Sequence, residues 1–140
     1  MILARWLLVA VVLLAAGCGG GGGDKTQAHI RLVVADKNIR REGVECAGAI
    51  PFQHIHKGAP FEVEAADGTV VAEGELPAGR SRNAEPDIDW GVERIPTFCI
   101  LDFAVELPQR PRYRLRLERG RPLEFRPAAR ADDPIELVVS

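Results

Sequence analysis

Alternating apolar and polar residues run through most of the chain after residue 23. A period of two places successive side chains on opposite faces of a strand, so it predicts strands that bury one face. The predicted strands are 30–36, 60–65, 69–76, 98–106, 113–118, 123–126 and 135–139. Asp67 and Gly68 lie between the second and third, and Asp-Gly between alternating segments is a strong hairpin signal. Because no segment after residue 23 keeps a helical period, we predict an all-β sandwich of about seven strands.

Two segments do not fit this pattern. The segment 43–50 is ambiguous between strand and loop. In 77–96, glycines, prolines and an asparagine interrupt any period, so the sequence predicts a long irregular connection. Structureless loops longer than about 12 to 15 residues are uncommon, and they are usually either functional or disordered. We therefore expect any recognition surface to lie in this insert.

The first 17 residues carry a different pattern. Arg5 precedes an apolar run from Trp6 to Ala16, and small residues precede Cys18. This order is typical of a lipoprotein signal peptide, and the apolar run is shorter than the roughly 20 residues that a membrane-spanning helix needs. We expect cleavage before Cys18, lipid on that cysteine and a glycine-rich tether over 18–23. Ordinary secretion, with Cys18 incidental, is the alternative.

These expectations divide the chain into a signal peptide at 1–17, a lipidated cysteine with its tether at 18–23, and one domain at 24–140. The protein would then be anchored by lipid on the extracytoplasmic side of a bacterial membrane, in the cell envelope. The formal net charge of the whole chain is -2, which argues against nucleic acid as a partner.

Charged residues follow the strand pattern. Arg112, Arg114 and Arg116 alternate with apolar residues, and so do Glu62 and Glu64. If these strands are neighbours, their outer faces would form cross-strand ion pairs worth about 0.2–1 kcal/mol each. The alternative is an arginine stripe for an anionic glycan or a lipid headgroup. We favour the ion pairs, because such patterns usually belong to a solvated scaffold.

Cys46 and Cys99 remain as a pair once Cys18 is assigned to lipid. Disulfides form and persist in exported proteins, so we predict that these two cysteines are bridged. Two free, buried thiols are the alternative.

His54 and His56 form an H-x-H pair, and on a strand their side chains would share one face. The pair could give zinc or copper two ligands, but the spacing shows no third ligand, so solvated loop histidines are the alternative. Neither serine, Ser81 or Ser140, has the context of a nucleophile elbow. We therefore expect no enzyme activity and no cofactor.

Trp90 lies among the acidic residues Asp87, Asp89 and Glu93 in the insert. An exposed tryptophan surrounded by polar groups is typical of the anchor residue of a small interface, here with a protein or a glycan. Alternatively, Trp90 folds back over one end of the core.

The order of cysteines, turns and core positions resembles a group of small exported actinobacterial proteins of uncharacterised function. The matching elements are Cys46, Ile55-x-x-Gly58, Asp67-Gly68, Cys99-x-x-x-Phe103 and Tyr113-x-Leu115-x-Leu117. The resemblance implies an immunoglobulin-like (Ig-like) or transthyretin-like sandwich and no particular activity. The insert before Cys99 is longer here than is usual in that group. We expect an envelope lipoprotein that binds a partner, and the alternative is a metal-binding accessory protein that uses His54 and His56.

Overall fold

The computed structural model describes residues 24–140, which form an all-β fold. The predicted signal peptide, Cys18 and the tether lie outside the described residues. The described part contains nine strands: β1 Lys25–Arg41, β2 Glu45–Cys46, β3 Pro60–Ala65, β4 Val70–Glu75, β5 Gly79–Asn83, β6 Arg94–Pro108, β7 Tyr113–Leu117, β8 Leu123–Phe125 and β9 Ile135–Val139. It includes no helix that is long and apolar enough to cross a membrane.

The strands form two sheets, with the orders β2-β5-β6-β1-β9 and β4-β3-β7-β8. The long strands β1 and β6 are antiparallel, with Lys25 opposite Pro108 at one end and Arg41 opposite Arg94 at the other. Strand β9 adds to the other edge of β1 in the parallel direction. The pair β1 and β6 therefore sets the length of the domain.

One core lies between the sheets, and strands of both sheets contribute apolar side chains to it. Leu32 and Leu101 from the first sheet and Val63 and Leu115 from the second are fully buried in one cluster. The predicted hairpin is confirmed, since β3 and β4 are antiparallel neighbours. Its turn contains Gly68 at φ +87°, a conformation that favours glycine.

A bulge interrupts β1 at residues 35–37. The register shifts between Val34 and Asn38, and Lys37 has a φ of +48°. Extra residues in one strand redirect local side chains. Here they bring the Asp36 carboxylate, whose side chain is 0% exposed, against Arg40.

The predicted disulfide is confirmed. Cys46 on β2 and Cys99 on β6 are bonded, and their Cα atoms are 5.9 Å apart. Strand β5 runs between these two strands, and Gly79 passes beside the bridge. A methyl group on Gly79 would lie 2.5 Å from Sγ of Cys99, so a larger residue would require rearrangement there.

Two predictions about the strands are wrong. The insert 77–96 is not one irregular connection, because Gly79–Asn83 is strand β5 and β6 already begins at Arg94. The strand count is nine rather than about seven. Strand β5 has no apolar residue that would reveal it, because its buried positions are Gly79 and Ser81. The Ser81 hydroxyl donates to the carbonyl of Arg41 and accepts from the amide of Val44.

Candidate binding site

The irregular part of the insert is the loop 84–93, and it lies at one end of the long strands. Strand β1 runs from Lys25 to Arg41, and β6 starts from Arg94 opposite that far end. At about 3.3 Å per residue, the 17 residues of β1 would span at most about 55 Å if the strand were straight, and the bulge at 35–37 shortens that span. The loop is therefore at the end of the domain opposite to the point where residues 1–23 join it. We define the distal tip as this loop together with Ile39, which lies two residues before the end of β1, and Val44, which lies in the turn between β1 and β2.

Exposed apolar side chains concentrate at the distal tip. Eight large hydrophobic side chains are exposed in residues 24–140, and five of them belong to the tip: Ile39, Val44, Ile88, Trp90 and Val92. The other three are Ile50, Val70 and Val138. Scattered exposed apolar residues are normal, whereas a concentration of them at one place is typical of an interaction site.

The loop of the distal tip is ordered by its own hydrogen bonds. Oδ1 of Asn83 accepts from the amide of Glu85 at 2.9 Å, and Oδ1 of Asp89 accepts from the amide of Gly91 at 3.1 Å. Such side-chain bonds to an amide two residues ahead stabilise turns. Gly91 adopts a φ of +62°, which favours glycine. Trp90 is therefore presented on a defined backbone.

Trp90 is 37% exposed. It lines a shallow depression with Ile88, Val92 and Ile95. Within the described residues, Trp90 is not part of the main core cluster or of the partly buried side chains packed against it. Trp90 thus belongs to the surface of the tip.

The three acidic residues around Trp90 differ in their surroundings. Asp89 and Glu93 line the same depression as Trp90, whereas Asp87 does not. Oε2 of Glu93 lies 2.8 Å from Nη2 of Arg41, which links the loop to the end of β1. Both side chains of that pair are largely exposed, so the pair adds little stability.

A buried ion pair between Asp36 and Arg40 lies in the part of β1 that leads to the tip. Oδ2 of Asp36 accepts from Nη2 of Arg40 at 2.6 Å and from the amide of Ala49 at 2.8 Å, and Nη1 of Arg40 donates to Oγ1 of Thr97 at 3.1 Å. Burial raises the pKa of Asp36, but hydrogen bonds from Arg40 and from the amides of Ala49 and Asn38 together leave that pKa below its ordinary value. The network ties the bulge of β1 to β6 and to the segment after β2.

The predicted histidine pair lies between β2 and β3, in turns rather than in a strand. Ile55, between the two histidines, is fully buried, while His56 is exposed and its Nδ1 lies 2.8 Å from the carbonyl of Lys57. The condition that His54 and His56 share a strand face is therefore not met. In residues 24–140, no group of three or more His, Cys, Asp or Glu side chains is placed to hold a metal ion.

The predicted cross-strand ion pairs are confirmed for Glu64. Strands β3 and β7 are antiparallel neighbours, and Glu64 lies between two arginines. Its Oε1 is 2.9 Å from Nη1 of Arg116, and its Oε2 is 3.6 Å from Nη2 of Arg114. The hydrogen bond that Arg116 donates to Glu64 raises the pKa of Arg116 above its ordinary value. Arg114 and Arg116 therefore form ion pairs across β3 and β7, and they are not a free anion-binding stripe.

A cavity of about 540 Å³ lies at the end of the domain opposite to the distal tip. Five strands, β1, β6, β7, β8 and β9, form its floor with Ala28, Leu107, Tyr113, Phe125 and Ile135. In sequence these residues look like ordinary core positions. No local pattern could have identified this cavity.

Sequence reasoning identified Trp90 and missed the other apolar residues of the distal tip. Ile88 and Val92 could have been found, because they alternate with Trp90 along the loop. Ile39 and Val44 come from other segments, and only the fold brings them to the same end.

No protein-family model, no curated protein and no solved structure matches the chain. The resemblance to small exported actinobacterial proteins stays a prediction.

Proposed function

We propose that this chain is a lipid-anchored protein of the bacterial cell envelope that binds a partner protein through its distal tip. The observation that carries the proposal is the concentration of five of the eight exposed large apolar side chains at that end. The tip is opposite to residue 24, so a lipid on Cys18 and a tether at 18–23 would present the tip away from the membrane.

The composition of the distal tip favours a protein over a glycan. One aromatic residue, Trp90, lies among four aliphatic side chains, and Asp89 and Glu93 supply polar groups around it. An apolar centre with an aromatic anchor and a polar rim is the usual composition of a protein interface.

The extracytoplasmic location is supported by two features of the chain. The first 18 residues have the order of a lipoprotein signal. The bond between Cys46 and Cys99 suits an oxidising compartment. The proposed role is binding rather than catalysis. The hydroxyl of Ser81, a residue with 4% exposure, is hydrogen-bonded to Arg41 and Val44 and so joins β5 to the turn before β2.

For the fold itself we propose the Ig-like class of sandwich. The chain passes from one sheet to the other between β6 and β7. The hydroxyl of Tyr113, at the start of β7, donates to the carbonyl of Pro108 and accepts from the amide of Arg110 at 3.0 Å. A tyrosine that bonds back across such a corner is a hallmark of Ig-like sandwiches. The disulfide departs from that class, because it joins two strands of the same sheet.

The test of the binding proposal compares single-residue variants of the full chain. Wild type, Trp90→Ala and Val70→Ala would each be immobilised and exposed to envelope extract, and retained proteins would be identified and then purified for affinity measurement. Val70 is a matched control, because it is also exposed, at 46%, but lies outside the tip.

We expect Trp90→Ala to weaken the affinity for the retained partner at least about tenfold, as for an interface anchor, and Val70→Ala to leave it unchanged. Equal affinity of all three proteins would contradict the proposal. Thermal unfolding of each variant separates binding from folding: a large loss of stability in Trp90→Ala with unchanged binding would assign Trp90 to the fold.

A further inference from the structure

The cavity at the end opposite to the distal tip opens beside the point where the chain enters the domain. Thr26 and Gln27, which follow Lys25 at the start of β1, line the cavity. Cys18 lies seven positions before Lys25, so even a fully extended tether reaches no more than about 25 Å. If Cys18 carries the lipid anchor, the cavity therefore stays close to the membrane surface.

The two loops that border the cavity are rich in arginine. The loop after β6 contains Arg110 and Arg112, and the loop before β9 contains Arg126 and Arg130, against Asp132 and Asp133. Arg110 and Asp133 line the cavity directly, and His29 lines it from β1. Among the ion pairs of residues 24–140, none involves these four arginines. The two loops together therefore carry two more positive than negative side chains, and this balance attracts an anionic membrane surface.

The interior of the cavity is apolar. The rings of Tyr113 and Phe125 are stacked with their centroids 5.1 Å apart, and Ala28, Leu107 and Ile135 complete the floor. The volume of about 540 Å³ is within the range of pockets that enclose a small ligand. An apolar interior with Arg110 in its lining matches an amphiphile with an anionic head.

We propose that this cavity binds one acyl chain of an anionic lipid from the membrane on which the protein is anchored, and that Arg110 binds the anionic headgroup at the rim. The choice of a membrane lipid rests on the proposed anchoring at Cys18. The occupancy of the cavity itself does not depend on the partner protein at the distal tip, because the two sites lie at opposite ends of the domain.

The test uses the full chain carrying Cys18→Ser, so that the protein's own acyl chains cannot fill the cavity. This protein would be incubated with vesicles of phosphatidylglycerol, with vesicles of phosphatidylcholine, or with a soluble fatty acid, and then re-isolated. Native mass spectrometry would measure the fraction of protein that retains one lipid. All variants share the same N-terminal segment, so any lipid that this segment binds is the same in each. A difference between variants in the fraction that retains lipid therefore reports on the cavity.

Two kinds of variant examine the cavity and its rim. Ala28→Phe fills the floor from β1, and Ala131→Phe fills the cavity from an exposed loop position that can change without disturbing a strand. Arg110→Gln removes the charge at the rim. Arg119→Gln is the matched control, because Arg119 lies in the turn between β7 and β8, away from the cavity.

We expect one phosphatidylglycerol per chain, retained at least about tenfold less by either phenylalanine variant. Arg110→Gln should lower retention of phosphatidylglycerol by about tenfold, as for loss of a charge-assisted hydrogen bond, and should not change retention of phosphatidylcholine. Arg119→Gln should behave as the parent protein.

Three results would overturn the inference. Retention that is unchanged in both phenylalanine variants would place the lipid outside the cavity. Retention of the fatty acid without phosphatidylglycerol would exclude a membrane phospholipid as the occupant, and retention independent of headgroup charge would remove Arg110 from the site. Failure of the anchor would instead be seen as an unmodified Cys18 in the intact mass of the wild type, a separate measurement.

Discussion

Reduction of the disulfide between Cys46 and Cys99 should cost the domain a large part of its stability. The two cysteines are 53 positions apart, and a closed loop of that length removes conformational entropy from the unfolded chain worth about 4 kcal/mol. The bond also joins the two-residue edge strand β2 to the central strand β6 across β5. Because Cys99 is fully buried and keeps its packing as a thiol, most of the loss should come from the unfolded state.

For a domain of this size, a loss of about 4 kcal/mol corresponds to a fall in Tm of about 15 °C. The measurement is urea unfolding of the full chain with Cys18→Ser, with and without a phosphine reductant. The double variant Cys46→Ala/Cys99→Ala should lose slightly more, because removal of the Cys99 sulfur also leaves a small void. The dependence on urea should become steeper after reduction, since the unfolded chain can expand further.

A loss of less than about 1 kcal/mol on reduction would refute this reasoning. It would mean that the reduced, unfolded chain keeps the two segments close together without the bond, so that the cross-link removes little entropy. Equal losses after reduction and in the double variant would show that the buried sulfur contributes nothing to packing.

Three further outcomes are expected. Asp36→Asn should cost about 3 kcal/mol at neutral pH, because Arg40 is only 11% exposed and would be left buried without its carboxylate. The pKa of Asp36 is lowered in the folded protein, so the ion pair stabilises the fold at pH values above the unfolded pKa of about 3.9, and this stabilisation is lost as pH falls through the lower folded pKa. In urea titrations carried from pH 7 into the acid range, the wild type should therefore lose more stability than Asp36→Asn. Parallel curves of stability against pH for the two proteins would contradict this role of Asp36. Tyr113→Phe should cost about 1–2 kcal/mol, because the carbonyl of Pro108 and the amide of Arg110 lose their hydroxyl partner; unchanged thermal unfolding would show that water replaces it. Cys18→Ala should abolish acylation in intact-mass measurements and release the protein from membranes, and membrane retention of this variant in detergent partitioning would argue against the anchor.

The sequence by itself determined seven of the nine strands and one hairpin. Alternation in 60–65 and 113–118 correctly predicted both the strands and the pairing of Glu64 with arginines, because a half-buried strand must separate its apolar and charged faces. Asp67 and Gly68 located the hairpin turn, because few other residue pairs adopt its backbone angles. The two cysteines of the domain left one pairing.

Tertiary structure alone decided the remaining features. Strand β5 exists because Gly79 fits beside the disulfide and Ser81 bonds to the neighbouring turn, and neither reason is visible in an apolar pattern. The distal tip and the cavity combine residues from distant segments, such as Ile39 with Trp90 and Ala28 with Phe125. A local period reports which side of a strand is buried, whereas the position of a strand end or the separation of two sheets depends on how all strands pair. The sites for partner and lipid proposed here follow from that pairing.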